Sequence, residues 1–325
     1  MSDIKKILIV RFSSIGDIVL TSPVIRCLSQ QIPEIEIHYV CKQSFETVLI
    51  NNPYVHKLYT FKEDISELFE ELSSEHYDLV LDLHKNLRSS RLKRQLKIKS
   101  FVFDKLNIKK FLVVNFKLSK LLPPKHIVDR YFETVQTIGV KNDGKGLDYF
   151  LDENDNLDLS KLIVRADKKF IALVIGGSYY TKKIPLNKLL AICALAKLPI
   201  ILLGGKEDQA IAEQILKQFP DLINGCGSFT INQSASIISQ SEWVITSDTG
   251  MMHIASAFNK KIISIWGNTI PEFGMSPYLP KAKNRLLQVS GLECRPCSKL
   301  GYHTCPLGHF KCMNDVDISV VEALD

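Results

Sequence analysis

The chain has no apolar run long enough to cross a bilayer. Its longest apolar tract, residues 189–205, is broken by Lys197 and Pro199, and a helix leading into a buried strand fits it better. An export signal is missing too: the apolar run at residues 7–10 is four residues long and ends at Arg11, too short for a signal core. These two absences lead us to expect a cytoplasmic protein. There is no low-complexity tract and no short-period repeat, which excludes a solenoid or a disordered array. Neither G-x-G-x-x-G nor a Walker loop occurs, so the glycines carry no dinucleotide or P-loop signature.

Acids are nearly missing from one stretch. Residues 85–125 hold thirteen Lys/Arg and a single acid, Asp104, in a chain of overall formal charge +6; the rest of the chain is therefore net acidic. Such a patch suits nucleic acid, phospholipid headgroups or an acidic glycolipid, and a plain solvated helical face explains it equally. No stacking aromatics are interleaved over residues 85–99, so nucleic acid is not expected as a partner.

What is present is a core-forming chain of 325 residues, 46% apolar and 23% charged, with room for two domains. Residues 6–10, 36–40 and 77–83 read as strands. Helical stretches run from Ser22, as N-cap with Pro23 behind it, to about Gln30, and over residues 66–73. A polar, turn-rich stretch at 141–158 follows, and the second half restarts with strands at 170–175, 199–203 and 243–246 and a last one at 262–266. Residues 186–196 and a short closing segment at 315–324 look helical. The pattern predicts an α/β protein with two Rossmann-like domains, residues 1–155 and 156–325, whose parallel sheets face a central cleft.

Ligands of open parallel sheets bind beyond the carboxyl ends of the strands. Three small-residue loops fall at such ends: Gly176-Gly177-Ser178, Gly204-Gly205 and Asp248-Thr249-Gly250. At the last of these a strand ends, Asp248 or Thr249 caps, and a helix begins with free amides that favour an anion. His253 would lie near a phosphate bound there. An ordinary capped helix with a packed histidine explains the same residues.

Four segments in order resemble the ADP-heptose:lipopolysaccharide heptosyltransferases, which are GT-B glycosyltransferases. They are the opening Arg11-Phe12-Ser13-Ser14-Ile15-Gly16-Asp17-Ile18-Val19-Leu20-Thr21-Ser22-Pro23, then Gly176-Gly177-Ser178 with Lys182-Lys183-Ile184-Pro185, then Gly204-Gly205-Lys206-Glu207-Asp208, and finally Asp248-Thr249-Gly250 through His253-Ile254-Ala255 with Trp266-Gly267-Asn268-Thr269. The resemblance implies transfer of heptose or a related sugar from ADP-heptose to an anionic inner-core acceptor, with inversion and no required metal. It makes Asp17 the general base, where the residues alone read as a helix cap. Lys182 becomes the phosphate-binding lysine, with Lys183 its rival one residue on, in a loop that includes Ser178. Tyr179-Tyr180-Thr181 depart from the tryptophan and small residues more usual there.

Thr249 and Gly250 would give amides to the phosphates and Asp248 would hold sugar hydroxyls. Glu207 or Asp208 would accept a ribose hydroxyl, or else cap a helix. On the acceptor side the resemblance points to Arg11 and the segment beginning at Asp82. Lys85, Arg88 and Arg91, three residues apart, could share one helical face, and the basic stretch would dock on the inner-membrane surface as a peripheral protein. Two rivals stand beside this reading: a UDP- or GDP-sugar enzyme or epimerase on the same fold, and a non-catalytic binder of acidic glycans or membranes.

Eight cysteines fall into two sets. Cys27, Cys41, Cys193 and Cys226 sit in apolar segments and read as reduced core residues. Cys294, Cys297, Cys305 and Cys312 open with C-x-x-C, and in a reducing compartment four such thiolates read as a structural zinc site first. His303 and His309 are spare ligands. Reduced packed thiols or an oxidised pair are the alternatives.

Overall fold

A computed structural model describes residues 4–159, 169–278 and 284–325. The chain divides into two units, Met1–Lys105 with Lys125–Phe150, and Leu106–Pro124 with Leu151–Asp325.

In the first unit β1 (Lys6–Val10) is followed by α1 (Ile15–Val19), α2 (Ser22–Gln31), β2 (Glu36–Lys42), β3 (Lys57–Phe61), α3 (Phe69–Ser74), β4 (Leu79–Asp82), α4 (Leu87–Leu96) and β5 (Ser100–Val102). The chain then runs through α5 (Asn107–Phe116), which belongs to the second unit, and resumes here as α6 (Ile127–Phe132). All five strands are parallel, in the order β3-β2-β1-β4-β5. Ile7 through Val10 are 0% exposed. Both faces of this strand are covered, which is why it reads as a continuous apolar run rather than an alternation. Thr21, not Ser22, occupies the cap position of α2, so Ser22 and Pro23 form its first turn.

The second unit runs β6 (Ile171–Val174), α7 (Leu186–Leu195), β7 (Ile200–Leu203), α8 (Gln209–Leu216), β8 (Ile223–Asn224), α9 (Ile231–Gln240), β9 (Trp243–Ser247), α10 (Gly250–Ala257), β10 (Lys261–Trp266), β11 (Arg285–Gln288) and α11 (Lys311–Asn314). Its six parallel strands are ordered β11-β10-β9-β6-β7-β8. Ile171 and Leu173 pack into one core while Ala172 and Val174 pack into another, the period-two alternation of a strand buried on both sides.

Three expectations need correction. The strand at β10 is not the last, since β11 pairs beside it. Residues 315–324 form only a short 3-10 turn, Ser319–Ala323. Residues 106–124, placed by the sequence with the first domain, group with the second unit, where Val113 and Leu122 share a small core with Ile270 and Phe273. Among the described residues no helix is long and apolar enough to cross a membrane.

The two sheets share one topological property. Strand order reverses between β1 and β4 in the first and between β6 and β9 in the second, and beyond the carboxyl ends of such strand pairs a crevice opens. The amino-terminal end of the first sheet is knit by charge. Glu75 accepts from Lys57 Nζ at 2.7 Å, from Lys6 Nζ at 2.9 Å and from the Tyr59 hydroxyl. These hydrogen bonds hold its carboxyl well below the usual carboxylate range. A carboxyl depressed by folding stabilises the native state at neutral pH, and the contribution is lost as pH falls below its unfolded value. Glu75→Gln is therefore expected to lower stability at pH 7 by about 1–2 kcal/mol. It should also flatten the acid limb of stability against pH, read by urea denaturation from pH 7 to about pH 3.

Candidate active site

The first crevice is organised by a buried arginine. β1 hands the chain to Arg11, which is 5% exposed. Its Nε donates to the Ser13 carbonyl at 2.8 Å, and Nη1 donates to the Leu83 carbonyl at 2.6 Å and the Tyr131 hydroxyl at 3.1 Å. Nη2 meets Asp17 Oδ1 at 2.7 Å. Burial is the largest influence and weighs against this charge, but Asp17, Tyr131 and Tyr39 together outweigh it and the guanidinium pKa lies above its usual value. Asp17 Oδ2 accepts the Ser14 amide at 3.3 Å and the Ser14 hydroxyl at 3.0 Å. The capping role read from sequence is thus real. The same carboxylate is also oriented by Arg11. Arg11, grouped on sequence with the acceptor-binding residues, is buried and spends its donors inside the unit.

The crevice also holds His84, two residues beyond the end of β4 and without a sequence motif to mark it. Its ring lies 4.8 Å from that of Phe12, and its buried Nδ1 has no hydrogen-bond partner. Burial, with the cations Arg11 and Lys105, pushes its pKa down to about 3, so the imidazole is neutral at physiological pH. Asp82, at the end of β4, is buried and takes Lys93 at 2.8 Å and the Ser89 hydroxyl at 2.9 Å. It anchors the start of α4.

Lys85, Arg88 and Arg91 do not share a helical face. Asn86 is the N-cap of α4, accepting from the Ser89 amide at 2.8 Å. Lys85 precedes it with φ 51° and lies 3.9 Å from Asp104. Arg91 is engaged with Asp64 at 3.1 Å and sits over the Phe69 ring, while Arg88 is exposed on the helix.

The second crevice is built from loops after β6, β7 and β9. A Cβ on Gly176 would lie 2.7 Å from Asp208 Oδ2 and 3.3 Å from the Gly204 Cα, so only glycine lets the first two loops approach this closely. The two adjacent lysines separate. Lys182 Nζ meets Asp248 Oδ2 at 2.6 Å, an oxygen that also accepts from the Thr269 hydroxyl at 2.8 Å. Lys183 Nζ meets the fully buried Asp208 at 2.6 Å. A cleft of about 360 Å³ opens beside them, lined by Gly177, Ser178, Tyr180, Lys183, Glu207, Ile211 and His303.

The rival acids also separate. Asp208 accepts the Gly205 amide at 2.9 Å and is structural, whereas Glu207 is exposed on the cleft wall. Thr249 is the cap residue of α10 without a side-chain cap bond, its hydroxyl lying 3.2 Å from that of Thr246. Gly250 begins the helix, and His253 is buried within it at 2% exposure rather than lining the cleft.

The cysteine-rich tail forms part of this wall. Tyr302 N donates to the Thr181 hydroxyl at 2.8 Å, and the Thr181 amide donates to the Tyr302 carbonyl at 3.1 Å. Tyr180 stacks on Phe310, and the Tyr179 ring lies tilted against His303 with centroids 5.8 Å apart. All eight cysteines are free. Burial, with the neighbouring thiols, pushes Cys297 up to about 11 and Cys312 to about 12.

Tetrahedral zinc needs sulfurs about 3.8 Å apart. Among the described residues the one set of three ligand atoms within 4.8 Å is Glu36, His38 and Glu75. Cys294, Cys297, Cys305 and Cys312 thus do not gather into a zinc geometry. The Glu36–His38–Glu75 set lies at the amino ends of the strands, where Lys6 and Lys57 already supply the counter-charge.

Residues 65–304 match the family model described as glycosyltransferase family 9 (heptosyltransferase). The chain is 26% identical over 292 residues to lipopolysaccharide heptosyltransferase 1 of Campylobacter coli, covering 81% of this chain and 84% of that one. Its fold is similar to a glycosyl transferase family 9 protein from Veillonella parvula, with TM-score 0.73, 20% identity and coverage of 89% and 88%. It is also similar to the E. coli ADP-heptose lps heptosyltransferase II, with TM-score 0.67, 18% identity and coverage of 95% and 98%.

The separation of the two acids can be checked without a ligand. Asp208→Ala removes the buried partner of Lys183 and is expected to cost about 2–3 kcal/mol of stability. Glu207→Ala should stay within about 0.5 kcal/mol, both read by urea denaturation.

Proposed function

The chain belongs to glycosyltransferase family 9, the heptosyltransferases, and on that premise we propose that it moves heptose from ADP-heptose to an anionic lipopolysaccharide inner-core acceptor, with inversion. Family membership decides for a glycosyltransferase over a non-catalytic binder. In the proposed step the acceptor hydroxyl oxygen attacks the anomeric carbon and the bond to the diphosphate oxygen breaks on the opposite face. The hydroxyl proton passes to Asp17 and ADP leaves.

What carries the reading is the placement of Asp17, beyond the carboxyl end of β1 at the first sheet's switch point and paired with buried Arg11. An arginine-paired carboxylate is a weak base towards a resting hydroxyl. It becomes adequate as the new bond forms and the hydroxyl acidifies, so the proton moves late.

On the donor side, the diphosphate would lie against the amides that open α10 and beside Lys182 and Lys183, with Glu207 on a ribose hydroxyl. Adenine as the donor base follows the name of the E. coli structural neighbour. The lysine ammoniums would neutralise the departing diphosphate, so turnover should persist in excess EDTA. For the acceptor, Arg88 is exposed on α4 and Lys85 stands before its cap. Both are suited to the anionic groups of an inner core.

Asp17→Asn keeps an acceptor for Arg11 while removing the basic oxygen. It is expected to lower kcat about 100- to 10,000-fold, with ADP affinity by calorimetry retained and unfolding still cooperative. Turnover at the parental rate would reject Asp17 as the base.

A further inference from the structure

The segment 106–124 is built inside out. Its residues include four lysines and no acid, and an ordinary surface helix would turn such lysines to water and its apolar side chains to the core. Here Lys110 is buried, its ammonium 5.5 Å from the Phe273 ring centre, and Val113 lies beneath it in the core with Leu122, Ile270 and Phe273. Five of the apolar residues face out. Ile108, Phe111, Phe116, Leu118 and Leu121 are between 41% and 77% exposed. Ile108 and Phe111 are one turn apart on α5, and Phe116, Leu118 and Leu121 continue from its end.

The inversion is specific to these positions. Lysine fills an inward position that could have taken leucine, and phenylalanine fills outward ones. Lys117 is held by the carbonyls of Cys294 at 3.2 Å and Pro296 at 2.7 Å, which fixes the end of the helix on the second unit. Lys109 and Lys120 remain exposed beside the apolar side chains.

Exposed aromatic and aliphatic groups flanked by lysines, with no acid among them, match one partner by chemistry: the headgroup and upper acyl region of an anionic bilayer. There the apolar side chains leave water and the ammoniums meet lipid phosphates. We infer that residues 106–124 form an interfacial anchor that seats the second unit on an anionic lipid surface. The inference does not rest on the transfer chemistry, and its test reads no turnover.

The full chain is sedimented with vesicles of phosphatidylcholine, alone or mixed with phosphatidylglycerol. Binding is expected only to the mixed vesicles. The exposed-site double variant Phe111→Ser with Phe116→Ser should lose about tenfold or more in partitioning. Lys109→Glu with Lys120→Glu should lose a similar factor, and the loss should shrink in high salt.

A second readout separates insertion from charge attraction alone. Trp243 and Trp266 are 5% and 1% exposed, so brominated lipids should quench a Phe111→Trp variant far more than the parent chain. Equal partitioning of the serine variant, or no added quenching, overturns the inference. So does a parent chain that self-associates in sedimentation equilibrium and becomes monomeric with the serine substitutions, which would assign the face to a second copy.

Discussion

Burying the Arg11 guanidinium costs several kcal/mol unless its donors are matched. The first unit matches them with the Leu83 carbonyl past β4, the Tyr131 hydroxyl on α6, the Ser13 carbonyl and the Asp17 carboxylate. One side chain thereby links the ends of the two strands that flank the switch point, the helix behind them, and the acid in front. The dependence runs both ways. Without Asp17 the guanidinium would be a buried charge lacking its counter-ion. Without Arg11 the carboxylate would lose its 2.7 Å ion pair. Structure and chemistry share this pair, so a cap-like aspartate can also be a catalytic candidate.

The second unit uses the same economy with lysines. Lys182 and Lys183, neighbours in sequence, each hold a different aspartate on a different loop. Each ammonium is thereby fixed in place by its own aspartate. The tail from Tyr302 to Phe310 braces the intervening turn by backbone hydrogen bonds and ring stacking. Cys305 lies in that brace and Cys312 just beyond it, and both pack with the core of the second unit.

Much of this was legible in the sequence for identifiable reasons. Strands covered on both faces must be apolar throughout, so β1, β6, β7, β9 and β10 stood out. Edge strands did not: β8 has two residues and β11 has mostly exposed side chains, too short or too wet for a pattern. The loops after β6, β7 and β9 were legible because glycine and capping chemistry are local, whereas Asp17 read locally only as a cap and was singled out by the resemblance. The burial of Arg11 was not legible, since its partners lie 72 and 120 residues away. The exclusion of Lys85 from the α4 face had a local signal, Asn86 three residues before Ser89, which marks a cap. The inversion of α5 was hidden because periodicity gives the spacing of a face and not the side of the helix it falls on. Cysteine spacing likewise suggests a ligand set without fixing where the sulfurs go.

The central claim, that Arg11 acts through Asp17 and has no separate role in turnover, is tested most directly by a double-mutant cycle on kcat/KM with Arg11→Met and Asp17→Asn. Each variant should first be shown to unfold cooperatively. If the pair works as a unit, the double variant will be no slower than Asp17→Asn alone. Losses that multiply would show the two residues acting independently and contradict the account.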